Sequence, residues 1–160
     1  MTRVADRPRV IFDCNVMVQA IANDAGPAGQ ALRLLDENVI QVYVSRAVMK
    51  ELRAVLKYSS VREKLPSLDD QRVEAFIEHL LFRAKMLRRV RHVFNYPRAT
   101  QDEPYIDLAV AANAGYLVTR DKDLLSLTTD HTLLAKQFRQ RFPHLRIMNP
   151  VAFVQAVGRE

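Results

Sequence analysis

The chain has a single cysteine, Cys14, so no internal disulfide can brace it, and a reducing compartment is expected. Only 4 glycines and 7 prolines occur in 160 residues, too few to build long linkers. No internal repeat and no low-complexity tract is present, which excludes solenoids and tail-like segments. No run approaches the roughly 18–20 apolar residues of a membrane span, and the charged opening MTRVADRPRV holds no stretch of signal-peptide length. A cytoplasmic protein without membrane association is therefore expected. The sequence also lacks GxxxxGK[ST], GxGxxG and GxSxG turns, which argues against P-loop, dinucleotide-binding and serine-hydrolase chemistry. His79, His92, His131 and His144 are scattered without the spacing of zinc ligands. What is present suits one domain covering residues 1–160, because 49% of the chain is hydrophobic and can form a single core.

The net charge of +6 is unevenly spread. Arg83, Lys85, Arg88, Arg89, Arg91 and Arg98 follow one another with no acid between them, as do Lys136, Arg139, Arg141 and Arg146. Such stretches attract polyanions by Coulomb steering and counterion release. A solvated basic face explains them equally well, so charge alone permits a nucleic-acid partner without requiring one.

Periodicity predicts alternating strands and helices. RVIFD (Arg9 to Asp13), VIQVYV (Val39 to Val44), YLVT (Tyr116 to Thr119) and LRIM (Leu145 to Met148) read as short buried strands. Helices are expected over Asn15 to Ala22 and, after a Gly26-Pro27 break, over Ala28 to Asn38. Another should follow Ser45 as N-cap, with Val48, Leu52, Val55 and Leu56 inward. Asp69 and Asp70 open a further helix that turns Val73, Phe76, Ile77, Leu80 and Leu81 to the core. Met86 to Phe94 reads as a strand or loop and Asn95 to Gln101 as irregular. Pro104 announces a helix from Glu103 to Ala114, stopped by Gly115. Thr132 to Arg141 and a segment from Pro150 complete the helices. The alternation implies an α/β fold, a three-layer α/β/α sandwich around a mainly parallel sheet.

In such sheets functional residues gather beyond the carboxyl ends of the strands. Two strands here run into aspartate: RVIFD ends at Asp13, and YLVT leads through Arg120 to Asp121 and Asp123. Aspartate also caps helices, so either one alone is ambiguous. Glu51 borders the apolar face of the Ser45 helix, where it either pairs with neighbouring Lys50 or Arg53 or points along the sheet edge. Asp102 precedes the Pro104 helix, as a first-turn acid or a site residue. Asp107 lies in the apolar run YIDLAVAANAG and needs either a partner or solvent. Carboxylates converging on one crevice repel each other unless a hard cation, Mg²⁺ or Mn²⁺, compensates. Cys14 has no histidine near it in sequence and reads as a buried thiol rather than a nucleophile.

VIFDCNV, SRAVMKELRAVL and TQDEPYIDLAVAANAGYLVTRDKDLL, in this order, resemble the landmarks of PIN-domain proteins, and most closely the toxin components of bacterial toxin–antitoxin pairs related to the VapC toxins. The resemblance implies an α/β/α sandwich, a Mg²⁺- or Mn²⁺-dependent endoribonuclease acting on RNA, inhibition by a cognate antitoxin protein, and frequent homodimers. By motif position it implies that Asp13, Glu51, Asp102 and Asp121 are the metal-binding, catalytic acids. Asn15 and Thr119 would be supporting polar neighbours, and Asp107 and Asp123 additional acids. Arg88, Arg89, Arg91 and Arg120 are the candidate nucleic-acid contacts. Cys14 and Arg120 depart from the residues common at their positions, and Ser59 to Arg98 aligns with nothing in the family. Two rival readings are a PIN-like module that binds nucleic acid or a partner without cutting, and a phosphoacceptor domain with Asp13 as nucleophile and Thr119 as a partial match.

Overall fold

Arg9–Phe12 (β1) forms the middle of a five-stranded sheet in the computed structural model of the chain, which describes residues 7–158. Residues 1–6, most of the charged opening, lie outside the described residues. Beside β1 run Gln41–Ser45 (β2) and Tyr116–Val118 (β4), and Lys85–Leu87 (β3) and Arg146–Met148 (β5) form the edges. Every pairing is parallel, in the order β3-β2-β1-β4-β5. The chain builds outward from β1 to β3 and then returns to place β4 against the free side of β1. That reversal is a topological switch point, where a crevice opens beyond the carboxyl ends of adjacent strands.

Val10, Ile11 and Phe12 of β1 and all five residues of β2 are buried. Side chains on a strand alternate between faces, so burial of consecutive residues requires cover on both. The helices supply it, giving the expected three-layer α/β/α sandwich: Cys14–Ala22 (α1), Pro27–Asp36 (α2), Arg46–Val55 (α3), Ser59–Lys64 (α4), Asp70–Arg83 (α5), Glu103–Ala111 (α6), Lys122–Thr129 (α7), Leu133–Arg141 (α8) and Pro150–Val157 (α9). Ser45 caps α3 by accepting from the Val48 amide, and Asp69 caps α5 by accepting from the Arg72 amide, as those residue types predict.

The departures have local causes. β2 begins two residues later than expected, because Asn38 takes a left-handed φ of 61° and the Val39 amide is spent on the Leu34 carbonyl at the end of α2. α6 ends at Ala111 rather than Ala114. Its stop is Asn113, with φ 52°, and not Gly115, whose amide donates to the Arg9 carbonyl as the chain enters β4. Leu81 faces solvent instead of the core. The short helices α4 and α7 had no periodicity long enough to be read.

Candidate metal centre

Phe12 pairs with Val118, so the next residues, Asp13 and Thr119, stand side by side at the switch point. The Asp13 amide donates to the Val118 carbonyl at 3.0 Å, continuing the ladder one step beyond the strands. Asp13 is 4% exposed and Thr119 is fully buried. The Thr119 hydroxyl donates to Asp13 Oδ2 at 2.7 Å and accepts from the Asp121 amide at 2.9 Å. One side chain thus sets the register between the two acidic strand ends.

The third arm of the crevice is the 3-10 segment Pro97–Asp102, broken at Ala99, whose backbone is extended. This segment and Tyr96 before it are fastened to α7 and α6. Tyr96 Oη donates to the Asp123 carbonyl at 2.6 Å, the Tyr96 amide donates to Glu103 at 2.6 Å, and Arg98 Nε pairs with Asp123 Oδ1 at 2.8 Å. Asp102 is thereby delivered, 4% exposed, to the two acids of the β4 end. Carboxylate oxygens of Asp102, Asp121 and Asp123 lie within 4.8 Å of one another.

Capping separates these acids. Asp121 does cap α7, accepting from the Asp123 amide at 2.8 Å. Asp13 and Asp102 occupy the equivalent positions before α1 and α6, yet neither closes a cap hydrogen bond. Asp102 Oδ2 is buried and accepts no hydrogen bond among the described residues, and only a protonated carboxyl can share a hydrogen bond with Asp121. Burial and the adjoining Asp121 carboxyl push the Asp102 carboxyl up to about 8, with Asp13 and Asp123 adding to the effect. Burial also raises Asp13; the Thr119 hydroxyl opposes this, and the charges of Asp121 and Glu51 reinforce it.

Glu51 of α3 is half-buried and accepts a hydrogen bond from the hydroxyl of Tyr105, a fully buried residue of α6. The same hydroxyl accepts from the Cys14 amide at 3.3 Å. Glu51 is close enough to raise both Asp13 and Cys14, but it stands with Tyr105 and outside the group of three acids. The Cys14 thiol is pushed up to about 12 by burial and then by Glu51 and Asp13, so it stays protonated near neutrality and supplies no thiolate. Asp107 is occupied elsewhere: its oxygens meet His92 Nδ1 at 2.8 Å and the Val93 amide at 2.9 Å, anchoring the loop after β3. Asn15 is exposed in the first turn of α1, and its side chain makes none of these contacts. Arg88, Arg89 and Arg91 are exposed on the loop after β3. Arg120 is also exposed and lines a small hollow with Gln19 and Asn23 at the end of α1.

The sequence singles out neither Tyr105 nor Tyr96, and it places Arg98 only in a basic stretch, whereas Arg98 pairs with Asp123. A signal existed for Tyr105, since a tyrosine inside a helix as apolar as α6 needs a partner for its hydroxyl. Nothing local marks Tyr96 or Arg98, because their partners lie about a helix away in sequence.

The donors fit a hard divalent cation. They are all carboxylate oxygens, their mutual repulsion raises proton affinity in the way a cation would relieve, and the orphaned oxygen of Asp102 is the buried polar atom a ligand bond would satisfy.

A PIN-domain family model matches residues 9–123, a span that runs from β1 to Asp123 and includes every carboxylate described. An uncharacterized protein of Methanocaldococcus jannaschii is 26% identical over 147 residues, covering 92% of this chain and 90% of that protein. Among solved structures, the crystal structure of VapBC2 from Rickettsia felis bound to a DNA fragment from their promoter shares the fold with a TM-score of 0.50. It is 17% identical and covers 88% of this chain and 98% of the matched one.

Proposed function

The chain belongs to the PIN-domain family, and on that premise we propose that it is a divalent-metal-dependent endoribonuclease, a single domain over residues 1–160. Asp13, Glu51, Asp102 and Asp121 are its metal-binding acids, joined by Asp123. The observation that carries this reading is the buried, unpartnered oxygen of Asp102, set among the Asp121 and Asp123 carboxylates at the switch point of the sheet. Such an arrangement is costly to maintain for folding alone.

Mg²⁺ or Mn²⁺ bound there supplies Lewis-acid stabilisation of phosphodiester oxygens and a bound water of lowered pKa. The chain's residues do the rest. Thr119 holds the Asp13 and Asp121 ends in register, the Asp121 cap fixes the start of α7, and Arg98 holds Asp123 by its side chain. Single-stranded or looped RNA is the fitting substrate, since A-form duplexes constrain the backbone and bury base edges. The fold shared with VapBC2 supports a role as the toxin of a type II toxin–antitoxin pair, held in check by a cognate antitoxin protein.

Purified protein incubated with mixed RNA should cleave it in Mg²⁺ or Mn²⁺, stop with EDTA, and lose the activity in Asp13→Asn while keeping its fold. Full activity of Asp13→Asn, with contaminating nuclease excluded, removes Asp13 from the mechanism. RNA binding without cleavage in either metal selects the non-cutting module instead.

A further inference from the structure

The carboxyl edge of the sheet carries a second feature beside the acids. β2 and β3 pair with Ser45 opposite Leu87, so the residues that follow, Arg46 and Arg88, leave the sheet as neighbours. Both are exposed. Neither enters the ion pairs found among the described residues, whereas Arg53, Arg62 and Arg98 are each spent on a carboxylate. The two arginines line a groove of about 270 Å³ together with Leu87 and Val90, and Pro104 and Asp107 of α6 contribute to its lining. Asp107 makes no ion pair with either arginine; its oxygens meet His92 and the Val93 amide instead.

The groove adjoins the acidic centre through α6. β2 lies beside β1 in the sheet, so Arg46 leaves it about one strand spacing, roughly 4.8 Å, from the strand that leads to Asp13, and Arg88 about two. A strand of RNA presented to the acids can run on along this carboxyl edge to the two arginines. No aromatic side chain lines the groove, so bases have nothing to stack on, while guanidinium forks match phosphate oxygens. The geometry points to a backbone subsite: Arg46 and Arg88 grip a phosphate of single-stranded RNA next to the one presented to the acidic centre. This assignment deepens the nuclease reading and rests on it for the identity of the polymer.

The test is equilibrium binding of a labelled single-stranded RNA of about twelve nucleotides, followed by anisotropy in EDTA over about 50–200 mM salt. Arg46→Ala/Arg88→Ala should weaken binding on the order of tenfold and flatten the slope of log affinity against log salt by about 0.7, for one phosphate of a single strand no longer neutralised. The charge-matched control Lys57→Ala/Lys64→Ala, with both lysines exposed and away from the groove, should change the slope much less. Thermal melts of both variants verify folding. Equal losses in the two double variants, or none in the groove variant, overturn the subsite. Absence of RNA cleavage by the wild type would count against the nuclease reading but leave this binding comparison decisive.

Discussion

Asp102→Asn should stabilise the metal-free protein. The carboxyl ionises at about 8 in the folded chain against 3.8 for the ordinary group, driven first by burial and then by Asp121. Between those two values the folded state holds a proton that the unfolded state has released, so stability falls as pH rises through the window from about 4 to about 8. Each unit is worth about 1.4 kcal/mol, so up to about 4 kcal/mol is lost by pH 7 if the whole shift is realised. Asp102 shares its proton with the adjoining Asp121 carboxyl, so the shift belongs to the pair and the expected figure for Asp102 is nearer to about 2 kcal/mol. The asparagine amide carries no charge and can donate toward Asp121. In EDTA at about pH 7.5 the variant should therefore melt roughly 4–8 °C above the wild type, with the gap closing toward about pH 5. Mn²⁺ should reverse the order, since a cation bound by the native state stabilises it by an amount that grows with the logarithm of its concentration over Kd, and the variant has lost a ligand. The assay is thermal denaturation of both proteins across this pH range, with and without metal. A wild-type-minus-variant difference that is flat in pH refutes the reasoning, because the pH dependence of that difference isolates Asp102 from the other titrating groups.

Thr119→Val removes the hydroxyl shared by Asp13 and the Asp121 amide; it should cost about 1–3 kcal/mol in urea denaturation and weaken Mn²⁺ binding about 10–100-fold by calorimetry. Unchanged metal affinity would show that the two strand ends keep their register without it. Tyr105→Phe preserves the buried ring but strips Glu51 and the Cys14 amide of their partner, so it should destabilise the fold by about 1–3 kcal/mol, and a neutral result in denaturation would separate Tyr105 from Glu51. His92 has its proton affinity raised, first by the Asp107 hydrogen bond and then by Asn95. Its contribution to stability is present below its unfolded pKa and is lost as pH rises through the higher folded one. NMR titration of the His92 ring should show the midpoint falling in Asp107→Asn, and an unmoved midpoint would assign the shift to other neighbours.

The fold was legible because its elements are short, strongly patterned and locally punctuated. β1 and β4 are apolar runs that end in aspartate and threonine, and Ser45, Asp69 and Thr132 each cap the helix that follows. Errors fell where chain geometry overrode residue type. Asn113 rather than Gly115 took the left-handed residue that closes α6, and Asn38 used up two apolar residues before β2 could begin. Leu81 has helical spacing to Ile77, yet it lies beside the buried stripe of Val73, Ile77 and Leu80 and is left exposed. Periodicity cannot register how wide a stripe the layer beneath a helix covers.

The acids were legible as a set and not as individuals. Every candidate aspartate near a helix start admits two readings, and residue type does not choose between them. Asp121 satisfies both: one oxygen caps α7 while the carboxylate also joins the cluster. Asp13 closes no cap on α1, and Asp102, whose backbone is already helical as the 3-10 segment runs into α6, is not placed to make one. Asp107 went the other way, its cost of burial met by His92 and a backbone amide across the loop. What distinguishes the four is the destination of each oxygen, a long-range property set by the 3-10 segment and the β1–β4 pairing. A buried carboxylate whose oxygens are all accounted for, as in Asp107, serves the scaffold; one with an orphan oxygen among other acids, as in Asp102, supports the proposed metal site.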